Sequence, residues 1–148
     1  ANAEVKLKWP NDLLLNGDKV SGMLLETGEN DYIIVGIGVN IAQSPVAEDI
    51  LYPATSLQKA GIFTTAEDFL QRYLRRFDEV IMLANNVVRE KWLQNADGVG
   101  KLIAVRQESA ELRGIFIGLN DNADLLLQVG DEVKQIRVGD VFLLKEEK

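Results

Sequence analysis

The chain has 148 residues, 47% hydrophobic and 26% charged, enough for one ordinary domain or for part of one beside a small module, and not the composition of a disordered protein. It contains no cysteine and no histidine, which excludes disulfides, thiolate nucleophiles, Ser–His–Asp triads and imidazole metal sites; any chemistry rests on lysine, arginine, carboxylates, amides and backbone dipoles. A net charge of −7 without a basic patch argues against a broad nucleic-acid or anionic-membrane surface, and no apolar run approaches the roughly 20 residues that span a bilayer, so a soluble cytoplasmic protein is expected.

In chain order, Val5-Lys6-Leu7-Lys8 alternates as a half-buried strand does, and Trp9-Pro10-Asn11-Asp12 breaks it, because proline lacks the donor a ladder needs. Leu13 to Leu15 and Lys19 to Glu26 flank Asn16-Gly17-Asp18, whose Asn-Gly pair supplies the positive φ angles of a tight hairpin. Tyr32 to Ile41 is so continuously apolar that cover on both faces is expected. The first forty residues thus predict a β-meander. Gln43 to Pro53 reads as a loop with an apolar tip at Ile50, Leu51 and Tyr52.

Thr64-x-x-Glu67 fits a capping box, and Phe69, Tyr73, Phe77, Val80-Ile81, Ala84, Val88 and Trp92 recur at helical spacing. One long helix, or two broken near Asn85-Asn86, is predicted. Helical periodicity stops at Asn95–Gly100, giving expected domains of residues 1–96 and 97–148. Beyond it Lys101–Arg106, Leu112–Leu119, Leu125–Val129, Glu132–Arg137 and Val141–Leu144 predict five short strands of a small SH3-like barrel. The fold class is therefore α+β: a partial mixed or antiparallel sheet with a long helix, then the barrel.

Lys8-Trp9-Pro10-Asn11-Asp12 gathers an ammonium, an indole, a carboxamide and a carboxylate at one strand end. Taken alone it is also what a solvated strand lysine, a packed Trp-Pro pair and an Asn-Asp turn would give. Gly36 and Gly38 alternate along one strand that ends in Val39 and Asn40, leaving room for a ligand or another backbone to approach. This is not a dinucleotide fingerprint, which needs three glycines opening a helix.

In order and spacing, Lys8–Asp12, the strand from Lys19 through Gly22 to Glu26, and Gly36–Asn40 closely resemble the biotin protein ligase signature: Lys-Trp-Pro-Asn-Asp, Gly-x-Leu-x-Glu, Gly-x-Gly-x-Asn. The resemblance continues through Tyr52–Leu57, the helical region and Gly139-Asp140-Val141, so it covers essentially the whole chain. It implies a class II synthetase-like catalytic fold, with ATP, Mg²⁺ carried by ATP, and biotin as substrates. A biotin carboxyl carrier domain is implied as the protein partner.

It also implies roles. Lys8 matches the lysine at the biotin carboxyl or acyl-phosphate oxygens and is the candidate catalytic residue. Trp9, Asn11, Lys19, Gly22, Gly36, Gly38, Val39 and Asn40 fall on biotin- or adenylate-binding positions, with Asn40 by the adenine and ribose. Lys19 alone could equally be an exposed hairpin lysine, and Asn40 a strand-end cap. Leu51, Tyr52 and Pro53 match a loop that covers the adenylate, and Asp12 and Glu26 read as structural.

The family's arginine-rich phosphate loop precedes the Lys-Trp-Pro motif and has no counterpart in this chain. The chain also begins with Ala1 in place of a methionine. By itself, then, it is expected neither to adenylate biotin nor to bind it tightly, and to self-associate through its early strands. Where the family usually carries glycine before the Leu-Leu strand, this chain has Ala123-Asp124, which leaves the turn type open. Two other readings remain: a non-catalytic carrier-recognition module, and a lipoate or octanoyl transfer enzyme.

Overall fold

Asn16 and Gly17, at φ 53° and 89°, form the tight reversal their sequence predicts, and they set the register of the first sheet. In this computed structural model, which describes residues 3–28, 32–45, 53–108 and 110–144, they join β2 (Asp12–Leu15) to β3 (Asp18–Thr27). With β1 (Val5–Lys8) and β4 (Ile33–Val39) these strands make a sheet of order β1-β2-β3-β4, the expected meander. Asn16 also fastens β1, accepting from Glu4 N at 2.9 Å on Oδ1 and donating its own N–H to Glu4 O at 2.8 Å.

The architecture is α+β with two sheets and two helices. The helical region divides into α1 (Ala66–Ile81) and α2 (Asn85–Gln94), the second of the two predicted forms. The cap of α1 lies one residue beyond the expected box. Thr65 accepts from Asp68 N at 3.1 Å, while Thr64 turns its hydroxyl to the Thr65 carbonyl, so the Thr64–Glu67 box does not form.

Two compact units result. One comprises the residues up to Leu7 together with Asn11–Met82, and its core is Leu15, Val20 and Leu57 with Leu13, Val39, Ile41 and Phe69 packed against them. Its strand β4 departs from the sequence reading. Ile33, Ile34 and Val35 are 68%, 56% and 43% exposed, so this run is not covered on both faces. The reason is geometric: β4 is an outer strand, and α1 stands off its Ile33–Val35–Ile37–Val39 side across a cleft of about 710 Å³. Cover for that run would need neighbours that the described residues do not supply.

The other unit comprises Leu83 onward together with Lys8–Pro10. Its sheet runs β8-β7-β6-β5-β9, antiparallel throughout, with β5 Leu102–Arg106, β6 Glu111–Leu119, β7 Leu125–Val129, β8 Glu132–Ile136 and β9 Asp140–Leu143. Each strand falls within a residue of its predicted bounds. Along β6 the pleat alternates with Gly114, Phe116 and Gly118 inward, as period-2 geometry requires. Phe116, Ile103, Val105, Leu125 and Leu127 are fully enclosed there. The turn before β7 places Ala123 at φ 62°, so alanine takes the left-handed position that glycine would fill without strain.

Candidate functional site

In the first unit the candidate residues meet on one strip of the sheet. Register sets Asp12 opposite Gly22 and Gly22 opposite Gly38, while Gly36 faces Leu24. Because side chains alternate along a strand, Gly36, Gly38 and Asn40 share one face and Val39 points to the other, where it packs on the Leu15–Val20 cluster. The strip is therefore floored by bare backbone. Among the described residues a Cβ at Gly36 or Gly38 would meet nothing nearer than 3.7 or 3.9 Å, so these neighbours do not themselves demand glycine at either place.

At one end of the strip Lys19 Nζ lies 2.6 Å from Asp12 Oδ1, with the carboxylate largely buried and the ammonium about a third exposed. Gly22 makes that pair fit, since a Cβ there would stand 3.2 Å from Asp12 Oδ1 and from both Lys19 Cε and Nζ. Asn11 is exposed, and its amide donates to the Met23 carbonyl while Met23 N returns a bond to Asn11 O at 3.0 Å. That reciprocal pair ties the residues after the Trp9-Pro10 turn to β3.

Asn40 stands where the strip meets the segment 53–57. Its Nδ2 donates to Thr55 O at 3.0 Å, its N–H to Val20 O at 2.9 Å, and its carbonyl accepts from Leu57 N at 2.9 Å. The same segment runs parallel beside Lys19, with Lys19 N donating to Pro53 O and Thr55 N to Lys19 O, both at 2.9 Å. Pro53 thus adjoins the candidate strip, whereas Leu51 and Tyr52 lie outside the described residues. Thr55 and Ser56, both buried polar side chains, were not singled out from sequence. Their only signal there was membership of the Tyr52–Leu57 run.

Lys8 and Trp9 group with the second unit. Lys8 closes β1 and is a buried residue, 7% exposed. Trp9 is 4% exposed, lies among Ile103, Phe116 and Leu125, and donates from Nε1 to the Ala123 carbonyl at 3.1 Å; the Trp9–Pro10 bond is cis. Beside it is a cleft of about 500 Å³ lined by Trp92, Arg89 and the Asn120–Asp124 turn, in which Arg89 is paired with Asp121. Farther off, Glu111 accepts from Arg113 Nε at 3.0 Å and meets Arg106 at 3.5 Å. The Arg113 bond, helped by Arg106, holds the Glu111 carboxyl below the usual carboxylate range.

An anionic ligand could lie along a bare strip that has a paired ammonium at one end and a carboxamide at the other. The model of the Biotin/lipoate A/B protein ligase family matches residues 1–40, which carry Lys8, Lys19, Gly22, Gly36, Gly38 and Asn40. The likeness runs further, for the chain is similar to biotin protein ligases over nearly its whole length. It is 35% identical to the biotin–[acetyl-CoA-carboxylase] ligase of Paracoccus denitrificans over 95% of this chain and 63% of that protein. With the Mycobacterium tuberculosis enzyme of the same name it shares 30% over 97% and 54%. A solved biotin protein ligase from Aquifex aeolicus superposes with TM-score 0.82 at 28% identity, covering 95% of this chain and 65% of that one. The same ligase bound to biotin and ATP gives 0.79. The chain spans less than two thirds of the length of these relatives.

Proposed function

We propose that the chain serves a biotin protein ligase. Biotin's carboxylate attacks the α-phosphorus of ATP, pyrophosphate leaves, and biotinyl-5′-adenylate forms. The ε-amine of one lysine on a biotin carboxyl carrier domain then attacks the acyl carbon and AMP departs. Mg²⁺ enters with the nucleotide as its phosphate counterion. Among the described residues no group of three or more carboxylates stands ready to hold a resident metal.

The observation that carries this reading is the glycine strip, bare backbone at Gly22, Gly36 and Gly38, where among the described residues a Cβ would be crowded at Gly22 alone. Lys8 supplies the catalytic ammonium. Carboxylate and phosphate repel as they approach, and a fixed cation offsets that charge more in the transition state than in the ground state. Burial of Lys8 supports this role, because a cation in a low-dielectric surround acts more strongly than one in water. Lys19, oriented by Asp12, adds a second cation. Asn40 reads the base or ribose, since a carboxamide both donates and accepts. Leu51, Tyr52 and Pro53 cover the adenylate and exclude water, which protects a mixed anhydride from hydrolysis. Asn11 and Val39 support the strip, one by its bond to the Met23 carbonyl and the other by packing on the Leu15–Val20 cluster, and Trp9 supports the residue before it, Lys8.

In this reading residues 1–96 carry the chemistry, residues 97–148 form the SH3-like C-terminal domain, and the protein works in the cytoplasm. The outer strands of the first sheet, with Val5, Ile33 and Ile34 exposed, support self-association of this chain, which sedimentation over a range of concentrations tests.

The test of function is biotin-dependent exchange of labelled pyrophosphate into ATP by the full-length protein, together with mass spectrometry of a carrier domain offered biotin or lipoate. Exchange lost in Lys8→Ala and a carrier gaining biotin are expected. Transfer of lipoate, or exchange indifferent to Lys8, refutes the reading.

A further inference from the structure

The segment that carries the catalytic candidate is not held by local structure alone. Its neighbour Trp9 is seated in the core of the C-terminal unit, between Ile103, Phe116 and Leu125, although 94 residues of sequence separate it from the first of these. The indole N–H reaches the Ala123 carbonyl, and that carbonyl is not a loop tip free to turn. Asn120 Oδ1 accepts the N–H groups of Asn122 and Asp124, both at 2.9 Å, while Asn120 Nδ2 donates to Asp124 Oδ2 at 2.8 Å and Ala123 N donates to Asn120 O at 3.1 Å. With Ala123 left-handed at φ 62°, the turn presents its carbonyl in one direction.

We propose that Trp9 is a positioning residue, through which the Asn120–Asp124 turn of the C-terminal unit fixes where Lys8 presents its ammonium. The inference rests on the ligase reading given above for Lys8. The residue immediately after Lys8 is anchored by a buried ring and by a hydrogen bond to a closed turn, which restrains the Lys8 backbone within the C-terminal unit. Displacement of a reacting group by about 1 Å costs on the order of 100-fold in rate.

The test replaces Trp9 by its benzothiophene analogue, in which sulfur stands for the indole N–H and the shape is kept, and measures pyrophosphate exchange in the full-length protein below its unfolding temperature. Loss of the donor alone should lower kcat by about 10-fold or more, with KM for biotin unchanged. Asn120→Ala, which opens the turn, should do the same. Ala123→Gly, which keeps the left-handed turn and its carbonyl, should retain kcat. A merely structural role would lower the melting temperature and leave the kcat of the folded protein unmoved. Full kcat in the analogue, while Lys8→Ala abolishes exchange, overturns this inference and leaves the ligase reading standing. Exchange that survives Lys8→Ala overturns both.

Discussion

Alanine at Gly38 separates what the fold needs from what a ligand needs. The added Cβ would find only the Gly22 carbonyl oxygen, at 3.9 Å, an ordinary contact, and the position has no positive φ to strain a side chain. Among the described residues nothing resists the substitution, so its effect on stability comes from the unfolded state, which loses freedom worth about 0.4–1 kcal/mol. For a unit of this size the melting temperature should rise by about 2–6 °C. A ligand lying against the strip would meet the methyl directly and be lifted by about 1.5 Å, one carbon–carbon bond. Misplacement on that scale lowers a positioned reaction on the order of 100-fold. Calorimetry and pyrophosphate exchange on the same preparation decide it. Unchanged exchange would mean that no substrate covers Gly38, and a melting temperature lowered by several degrees would mean that the sheet itself requires the glycine.

Gly114→Ala should do the opposite. Its Cβ would stand 2.3 Å from the Gln128 carbonyl oxygen, backbone that cannot step aside, so a loss of about 1–3 kcal/mol or more is expected in the denaturant midpoint of the C-terminal unit. Asp12→Asn keeps an acceptor for Lys19 but removes the charge. Because the ammonium is partly solvated, stability should change by less than about 1 kcal/mol, while the KM for ATP rises; an unchanged KM would remove Lys19 from the site. The depressed Glu111 carboxyl contributes stability that is complete above its unfolded pKa and lost as pH falls through its lower folded value. Melting temperature should therefore decline on acidification from about pH 5, with a shallower slope in Glu111→Gln and in high salt. Equal slopes in both proteins would locate the acid sensitivity elsewhere.

Features written in neighbouring residues were legible in the sequence. Asn16-Gly17 forms its hairpin because few other pairs tolerate two left-handed residues, and the strands after Gly100 declare themselves by alternation between turn clusters. The cap of α1 moved from Thr64 to Thr65 because adjacent threonines offer the same hydroxyl and sequence does not choose between them. The expected covering of β4 failed for a different reason: an apolar run records a need for neighbours without saying whether the same chain provides them. In the candidate site the glycines and Asn40 were visible as a pattern. The Asp12–Lys19 pair and the approach of Thr55 were not, since both depend on register across strands. Ala123 stood out only against the glycine usual in the family the sequence resembles, and the reach of its carbonyl to Trp9 had no local trace.

The seat of Trp9 also bears on how this chain can be divided and made. A piece cut to begin at residue 97, where the sequence punctuation invites a cut, would leave behind one of the largest side chains filling its interior. Such a piece should melt early or collect with its own kind unless a tryptophan-bearing peptide is returned to it. During synthesis the ring emerges first and must wait for Ala123, 114 residues later, before its partner exists. Assembly of the C-terminal unit therefore ends with a long-range closure, the kind of step that slows folding and lengthens the interval in which an indole is exposed to other chains.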